Sequence, residues 1–275
     1  MILKCYHRLL LAALIVFLSA PAAWSAGLWL YEGGTPDLGT AGAGRAALAA
    51  DASTAGANPA GMTRLDRSQM LAAVQGLYIN SRFDTDLSGF GGGDGGNAGG
   101  LVPSGSLHYV HRVTDDLRLG IAAGSNFGLG IDYGDDWAGR YYNTEAELLT
   151  YSVNPAAGYR VNSWLSLGAG FSVLYATLDQ KAAINNSAVP GQAGSPDGSV
   201  ELEDDDVAYG YNFGLMLTPL DGTRFGLTYR SEIDLEFDDA AKLKNIGPVL
   251  QGLLNLSGLA GSKVDIDMTI PQVVM

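Results

Sequence analysis

The residues that most often carry chemistry are sparse in this sequence and poorly spaced for catalysis or metal binding. His108 and His111 lie in a segment that alternates like a strand, so their odd spacing points them to opposite faces, where they cannot share a metal ion. Serines are plentiful, but there is no nucleophile elbow and no histidine placed to activate one. The glycine-rich Gly89–Gly100 lacks the Lys-Ser/Thr pair of a phosphate loop, and Asp204–Asp206 lacks the surroundings of a calcium loop. We therefore predict no catalytic residue, no metal site and no cofactor, and interpret the aspartates as a solvated rim.

The first 25 residues have the composition of a secretory signal peptide. Lys4 and Arg8 precede an apolar run from Leu9 to Ala20, and small residues end the segment at Ser25. The apolar run is too short to span a bilayer as a helix. The only cysteine of the chain lies in this segment, so the predicted mature protein has no thiol and no disulfide.

The composition of the whole chain is unusual for a soluble enzyme. Glycine (38 of 275 residues) and tyrosine (13) are abundant, and charged residues make up only 16%, against about 25% in average domains. The formal net charge of −13 argues against nucleic acid as a partner. No apolar stretch after the signal reaches the ~18 residues of a membrane-spanning helix. Because a closed β-barrel is the other way to satisfy backbone groups in lipid, we predict a protein of the bacterial outer membrane.

From about residue 68 onward, apolar residues alternate strictly with polar or small ones. In Arg224–Asp238 the odd positions are nearly all apolar and the even positions are charged or small, which we interpret as one strand with one apolar face. The same pattern predicts about eight strands, at 68–87, 104–114, 116–130, 146–161, 163–183, 205–218, 223–238 and from 263 onward. Long strands, aromatic residues near strand ends, and short turns opposite long loops favour a transmembrane barrel over a soluble β-sandwich.

Several short motifs follow one another in order along the chain. They are Ala26–Leu28, Gly39–Ala46, Asp51–Thr54, Asn58–Met62, Trp137–Tyr141, Asn154–Ala157 and Ile270–Gln272. Asn-Pro-Ala alone is a weak signal, but combined with the opening motifs and Trp-Ala-Gly-Arg-Tyr it is strong. In these motifs the sequence resembles the FadL-like outer-membrane transporters of long-chain fatty acids and aromatic hydrocarbons. The resemblance spans the whole predicted mature chain.

The resemblance implies an all-β fold, an antiparallel transmembrane β-barrel with an N-terminal hatch of short helices. We accordingly assign residues 1–25 to the signal peptide, 26–65 to the hatch and 66–275 to the barrel. A barrel of this family has about fourteen strands and about eight are recognisable here. We therefore expect a chain that is truncated at its C-terminus, with the missing strands encoded downstream.

The resemblance also places the motif Asn58-Pro59-Ala60 at the end of the hatch, near an inward kink of the third strand and a side opening in the wall. We predict that these three residues act in gating. The alternative is an Asn-Pro turn that merely ends the hatch.

Glycines interrupt the predicted third strand. Glycine within a strand often marks a bulge or bend, and a bend here would leave backbone hydrogen bonds unmade and open a gap towards lipid. We predict a kink with a lateral opening at Gly124, Ser125, Asn126, Phe127 and Gly128. The sequence fits equally well with small residues that make room for the hatch.

The predicted loop 239–262 is rich in apolar residues at helical spacing. A water-facing loop has no reason to expose such residues unless they pack on another loop or bind an apolar ligand, and the resemblance implies the second use. We predict that the ligand is captured by Ile246, Val249, Leu250, Leu253, Leu254 and Leu256. Lys242 and Lys244 could attract a carboxylate, although lone loop lysines are usually solvated.

The function that these features predict is passive uptake of hydrophobic small molecules, either long-chain fatty acids or aromatic hydrocarbons. The ligand is caught between the loops 184–203 and 239–262, enters the barrel, displaces the hatch and leaves sideways near the third strand. The expected partners are this ligand, outer-membrane lipid and the barrel-assembly machinery. The alternative is an outer-membrane receptor or adhesin that does not transport, or an inactive truncated fragment.

Overall fold

The computed structural model describes residues 33–84, 89, 91–125, 128–258 and 261–275. The predicted signal peptide (1–25) and the first residues of the predicted hatch (26–32) lie outside this range. The described strands are β1 Gln69–Ile79, β2 Gly100–Arg112, β3 Leu117–Gly124, β4 Gly128–Asp132, β5 Glu145–Arg160, β6 Leu165–Ile184, β7 Gly198–Leu220, β8 Thr223–Arg230, β9 Ile233–Ala240, β10 Lys242–Lys244, β11 Lys263–Ile270 and β12 Val273–Val274.

One large antiparallel sheet forms the framework. Its strands follow the order β1-β2-β3-β5-β6-β7-β8-β12, with β4 paired to β5 and β10 to β7, while β9 and β11 form a separate pair. The sheet is curled like half a barrel. In the described residues β1 pairs only with β2, and β12 only with β8, so the sheet does not close on itself there. The all-β antiparallel wall that the alternation predicted is confirmed.

Short helices precede the first strand. A 3-10 helix covers Pro36–Thr40, α1 Arg45–Leu48, α2 Thr54–Ala57 and a second 3-10 helix Pro59–Arg64. We call residues 36–64 the helical segment. A 3-10 turn at Asn186–Ala188 and helix α3, Pro248–Ser257, lie in long connections further on. No helix among the described residues is both long and apolar enough to cross a membrane.

The two faces of the large sheet differ in character because successive side chains point to opposite sides. One face exposes apolar and aromatic side chains, among them Leu107, Tyr109, Leu119, Ile121, Tyr151, Val153, Phe171, Tyr175, Tyr209, Phe213 and Leu227. The other face is rich in glycine and small polar residues, and the helical segment packs against it. This distribution is that of a wall with lipid outside and a polar interior.

The predicted strand 223–238 is wrong as a single strand, because it breaks after Arg230 into β8 and β9. Phe225 and Leu227 are exposed on the outer face, whereas Leu235 and Phe237 are each only 1% exposed and face the interior. Ser231 makes the change of direction: its N–H donates to Tyr211 O (2.9 Å) and its hydroxyl accepts from Tyr211 N (3.0 Å). The period of two continues across this break, so the sequence pattern could not reveal that the apolar face turns inward.

The pair β9–β11 packs on the inner face of β5, β6 and β7. Together they form the largest buried apolar cluster of the described residues, made of Leu148, Leu174, Ala176, Leu178, Leu202, Ala208, Ile233, Leu235, Phe237 and Ile270, with Ile266 and Met268 against it. The exposed face of the pair is acidic, with Asp234, Glu236, Asp238, Asp265 and Asp267.

Two aspartates of β7 replace the missing strand pairing between β7 and β9. Asp204 accepts from its own strand at Asp205 N (2.8 Å) and from β9 at Asp238 N (2.6 Å). Asp206 accepts from Val207 N (2.7 Å) and from Glu236 N (3.0 Å). We call this row of bridging carboxylates the aspartate seam. The interpretation of all three aspartates as a solvated rim therefore fits only Asp205, which is exposed.

Candidate functional site

The predicted gating motif Asn58-Pro59-Ala60 is buried between the helical segment and the wall. Asn58 is 1% exposed, and its Oδ1 accepts from Ala60 N (3.1 Å), which caps the 3-10 helix that Pro59 begins. Its Nδ2 donates to Ala46 O (2.6 Å) and to Leu215 O on β7 (3.2 Å). One side chain therefore joins two turns of the helical segment to the wall.

Glycines of the inner face allow this close approach. A β-carbon at Gly168 would overlap the backbone of Pro59 and Ala60, and one at Gly214 would overlap the Asn58 side chain. Thr63 adds a hydrogen bond from its hydroxyl to Ser166 Oγ (2.8 Å). The motif itself contacts β5, β6 and β7, because a β-carbon at Gly158 of β5 would also overlap Pro59 O. The 3-10 helix that the motif begins reaches the third strand through Met62, which packs against Gly120 of β3.

The predicted third strand is interrupted at the expected glycines. β3 ends at Gly124, opposite Ser152 of β5, and β4 begins at Gly128, opposite Leu149. The segment 125–127 is therefore one residue longer than the facing segment 150–151, which is the register shift of a β-bulge. Asn126 and Phe127 lie outside the described residues.

The wall loses main-chain pairing beside this bulge. β2 pairs with β3 only from Ser106 to Arg112, while Gly100–Gly105 pair with β1 alone among the described strands. β4 pairs with β5 and not with β2 in the same part of the chain. Further along, Asp132 N at the end of β4 donates to Ala98 O (2.8 Å). This hydrogen bond connects β4 to the segment that precedes β2. We call the unpaired stretch between Gly100–Gly105 and β4 the wall interruption.

A polar cavity of about 50 Å³ lies inside the wall next to the interruption. Its lining includes Gly33, Thr35, Arg45, Gly56, Ser106, His108, Gly124, Ser125, Ser152, Asn154, Ser172 and Arg230. Asn154 Nδ2 donates to Ser172 Oγ (2.6 Å) and to Asn212 Oδ1 (3.0 Å). Arg45 is 3.1 Å from Asp37, and Arg230 donates to Gly56 O (2.8 Å).

Sequence reasoning missed this cavity. It tested His108 only as a metal ligand, and it used Asn154 only as part of a motif. The available signal was positional: polar residues at inward-facing positions of several predicted strands must share one interior, but which of them meet depends on the register between strands.

Five of the six predicted capture residues lie on helix α3, and the sixth, Ile246, lies just before it. α3 begins with Pro248 and stops at Gly258, whose φ of 72° is the left-handed conformation of a helix C-terminus. Val249, Leu253 and Leu256 are exposed, Leu256 at 87%. Ile246, Leu250 and Leu254 are half-buried.

Asn186 joins the helix to the neighbouring long loop. Its Nδ2 donates to Asn245 O and its Oδ1 accepts from Gly247 N, both at 2.9 Å. The two loops that sequence analysis predicted to act together are therefore hydrogen-bonded. Lys242 and Lys244 instead form ion pairs with Glu203 and Glu201, which gives both lysines a partner within the protein.

The Trp-Ala-Gly-Arg-Tyr motif connects the loop 133–144 to the loop before β7. Trp137 is buried and stacks on Tyr133 with ring centroids 4.2 Å apart. Arg140 Nε lies 2.8 Å from Asp197, and the Tyr141 hydroxyl donates to the same carboxylate at 2.9 Å. The hydrogen bond to Asp197 raises the pKa of Arg140, and burial raises the pKa of Tyr141.

The family model described as "Outer membrane protein transport protein (OMPP1/FadL/TodX)" matches residues 16–275. A long-chain fatty acid transport protein of Escherichia coli O6:H1 is 32% identical over 90% of this chain and 59% of its own length. Outer membrane protein P1 of Haemophilus influenzae is 29% identical over 98% of this chain and 65% of its own. The chain thus spans less than two thirds of either relative.

Solved structures share the fold. A Pseudomonas aeruginosa FadL homologue superimposes with a TM-score of 0.73 at 21% identity, covering 90% of this chain and 65% of that one. The monoaromatic hydrocarbon channel CymD superimposes with a TM-score of 0.55 at 16% identity, covering 85% of this chain and 62% of that one.

Proposed function

This chain belongs to the outer membrane protein transport family (OMPP1/FadL/TodX), and we propose from that premise that it forms part of a channel for hydrophobic small molecules. Its place is the bacterial outer membrane. The observation that supports the proposal is the wall interruption, because backbone groups left unpaired in lipid cost several kcal/mol each, so an interruption within the wall is unfavourable unless molecules pass there. Relatives are named for long-chain fatty acids, and similar structures for monoaromatic hydrocarbons.

Capture is proposed at α3. The helix presents Leu253 and Leu256 to solvent, and an apolar ligand that covers them gains about 25 cal/mol for each Å² removed from water. The hydrogen bonds of Asn186 hold the neighbouring loop beside the helix, so the ligand meets two ordered loops.

Exit is proposed through the wall interruption. The ligand moves past the helical segment, which acts as the hatch, and leaves between β2 and β4 into the lipid. This route lets an apolar molecule pass from the channel interior to the membrane without crossing water. The proposed activity is transport and not catalysis.

The test uses cells that lack their own transporter. Uptake of labelled oleate and labelled toluene is compared between cells with the gene and cells with an empty vector. The gene is expected to raise the uptake of at least one of the two. If cells with the gene and cells with the empty vector take up each compound equally, the result would contradict the proposal and favour a receptor or adhesin.

Deletion of Ser125 tests the exit. Removing one residue makes the segments 125–127 and 150–151 equal in length, so β3 and β4 can join in one register with β5. We expect uptake to fall towards the vector level while the protein still inserts. Deletion of Gly89, which is exposed between β1 and β2 and outside both proposed capture loops, is the matched control and should leave uptake unchanged. Full uptake after the Ser125 deletion would exclude the interruption as the route.

A further inference from the structure

Two long loops meet at one end of the wall interruption. The loop 80–99 connects β1 to β2 and the loop 133–144 connects β4 to β5, so the two loops come from opposite sides of the interruption. Gly93 N donates to Asp136 O (3.1 Å), and Ala138 N donates to Gly93 O (2.8 Å). These hydrogen bonds belong to a short parallel bridge that joins the two loops through their main chains.

The wall interruption is thereby bounded at both ends. At the loop end, the hydrogen bond from Asp132 N to Ala98 O joins β4 to the chain before β2, and at the other end β2 pairs with β3 from Ser106 onward. The six residues Gly100–Gly105 between these ends span about 20 Å of strand. Pro103 is among them, and proline, which has no N–H, is found in sheets chiefly on edge strands. The interruption is therefore a window of limited length, with a residue suited to an unpaired edge.

Trp137 lies at the centre of the contact between the two loops and is 8% exposed. Its ring stacks on Tyr133 of its own loop, and Phe83 of the other loop meets it edge-on with ring centroids 5.5 Å apart. Both geometries are favourable for aromatic pairs. The indole Nε1 donates to Asn143 O (2.7 Å), which fixes the orientation of the ring. We call Phe83, Tyr133 and Trp137, with the bridge at Gly93, the tryptophan junction.

The glycines of the loop 80–99 allow the junction to form. A β-carbon at Gly95 would overlap the side chains of Tyr133 and Trp137, and one at Gly92 would overlap the backbone beside Trp137. The glycine-rich stretch Gly89–Gly100 therefore has a structural use at these two positions, which is close packing against the facing loop.

We propose that Trp137 is a positioning residue that limits the width of the molecules that leave through the wall interruption. Trp137 does not line the interruption. It holds together the loops from which β2 and β4 extend, and so it fixes the separation of these strands at the loop end. An opening of fixed width admits a slender aliphatic chain or a single aromatic ring and excludes a fused-ring steroid. The inference rests on the proposed lateral exit and names the residue that determines its size selectivity.

A distance across the interruption tests the inference without any transport measurement. The only cysteine of the chain, Cys5, lies in the predicted signal peptide, so Leu101→Cys on β2 and Gly130→Cys on β4 give one spin label on each side. Pulsed electron paramagnetic resonance of the full chain in lipid nanodiscs should show one narrow distribution of distances. Trp137→Ala should broaden it and lengthen its mean by about 5 Å, the spacing of one strand. Unchanged distances in the Trp137→Ala protein would overturn the inference.

Two further variants separate the junction from a general effect of losing an indole. Trp137→Phe keeps a ring against Tyr133 and Phe83 and should restore most of the narrow distribution. Trp164→Ala is the matched control, because Trp164 is 50% exposed at the turn between β5 and β6, and it should leave the distances unchanged. If Trp137→Ala does not fold, Phe83→Ala replaces it with the same expectation, since Phe83 is 44% exposed and its loss leaves no large cavity.

Uptake of molecules of different width tests the selectivity itself. Cells that lack their own transporter are given labelled oleate, labelled toluene and labelled progesterone, a fused-ring steroid. The wild-type gene should raise uptake of oleate or toluene but not of progesterone, whereas Trp137→Ala should also raise progesterone uptake severalfold above the vector level. Progesterone uptake through the wild-type protein, or none through a Trp137→Ala protein with lengthened distances, would overturn the inference and leave the transport proposal intact. Wild-type cells that take up neither oleate nor toluene would contradict the proposed function itself.

Discussion

Asn58 shows how a single buried amide can fix an element that has little stability of its own. The helices of the helical segment are only four to six residues long and rich in alanine and glycine, so they are not stable in isolation. Asn58 supplies a cap to one of them and hydrogen bonds to Ala46 and Leu215, which lie far apart in the sequence. Each bond lost with a buried partner left behind costs about 1–3 kcal/mol.

The double substitution of Asn58 and Pro59 by alanine should loosen the helical segment without removing the wall. The strand pairing does not involve these residues, so insertion should remain intact, as shown by a change of electrophoretic mobility on heating. Passage of small solutes should increase, measured as conductance across planar bilayers. Asn80→Ala, at the exposed position just after β1, is the control. Failure of the double variant to insert would show that the segment is needed for folding and would remove support for gating.

At the scale of elements, β9 leaves the wall at Ser231 and the aspartate seam holds it to β7. A carboxylate can make this link because its two oxygens accept from two strands at once, whereas an amide offers one acceptor oxygen. The seam therefore depends on the two carboxylate oxygens of each aspartate and not on the size of its side chain.

Replacing Asp204 and Asp206 together by asparagine should release β9 from β7. Each asparagine offers one acceptor oxygen in place of two, so the amide protons of Glu236 and Asp238 compete for it with those of Val207 and Asp205. Their hydrogen exchange should accelerate about tenfold or more, which corresponds to about 1.4 kcal/mol. Asp205→Asn is the matched control, since Asp205 lies between them but is exposed. The seam would be refuted by equal exchange rates in the double variant and the control.

The elements also show what sequence could predict and what it could not. The outer faces of β5, β6 and β7 were predicted well because lipid requires an apolar residue at every second position. The inward turn of the chain after Arg230 was not predicted, because apolar and polar residues alternate in the same way whether the apolar face points outward or inward. The bulge at Ser125 was predicted from glycines, but its extra residue is visible only in the register with β5. The hydrogen-bond partners of Asn58 and the buried surroundings of His108 are set by strand pairing over long separations, which one sequence does not report.

At the scale of the whole molecule, the polarity of the outer face must follow the membrane, which is apolar at the bilayer midplane and polar at its interfaces. Phe171 lies midway along the apolar part of the outer face of β6, from Leu165 to Tyr175, and Thr177 lies nearer the loop end, opposite Asp205. A lysine costs about 2–4 kcal/mol at the bilayer midplane and about 0–1 near the interface. Phe171→Lys should therefore lower the free energy of unfolding from vesicles far more than Thr177→Lys, measured by urea titration. Equal costs would contradict the assignment of this face to lipid.

The bulge beside the wall interruption consists of one additional residue, and one residue corresponds to one codon. Loss of a single triplet in frame could therefore seal the wall, and its gain could open it, with every strand on either side unchanged. A lineage could alternate between a leaky and a sealed wall by small insertions and deletions, without passing through an unfolded intermediate sequence. The proposed lateral exit would in this sense be a heritable trait that is separate from the fold of the wall.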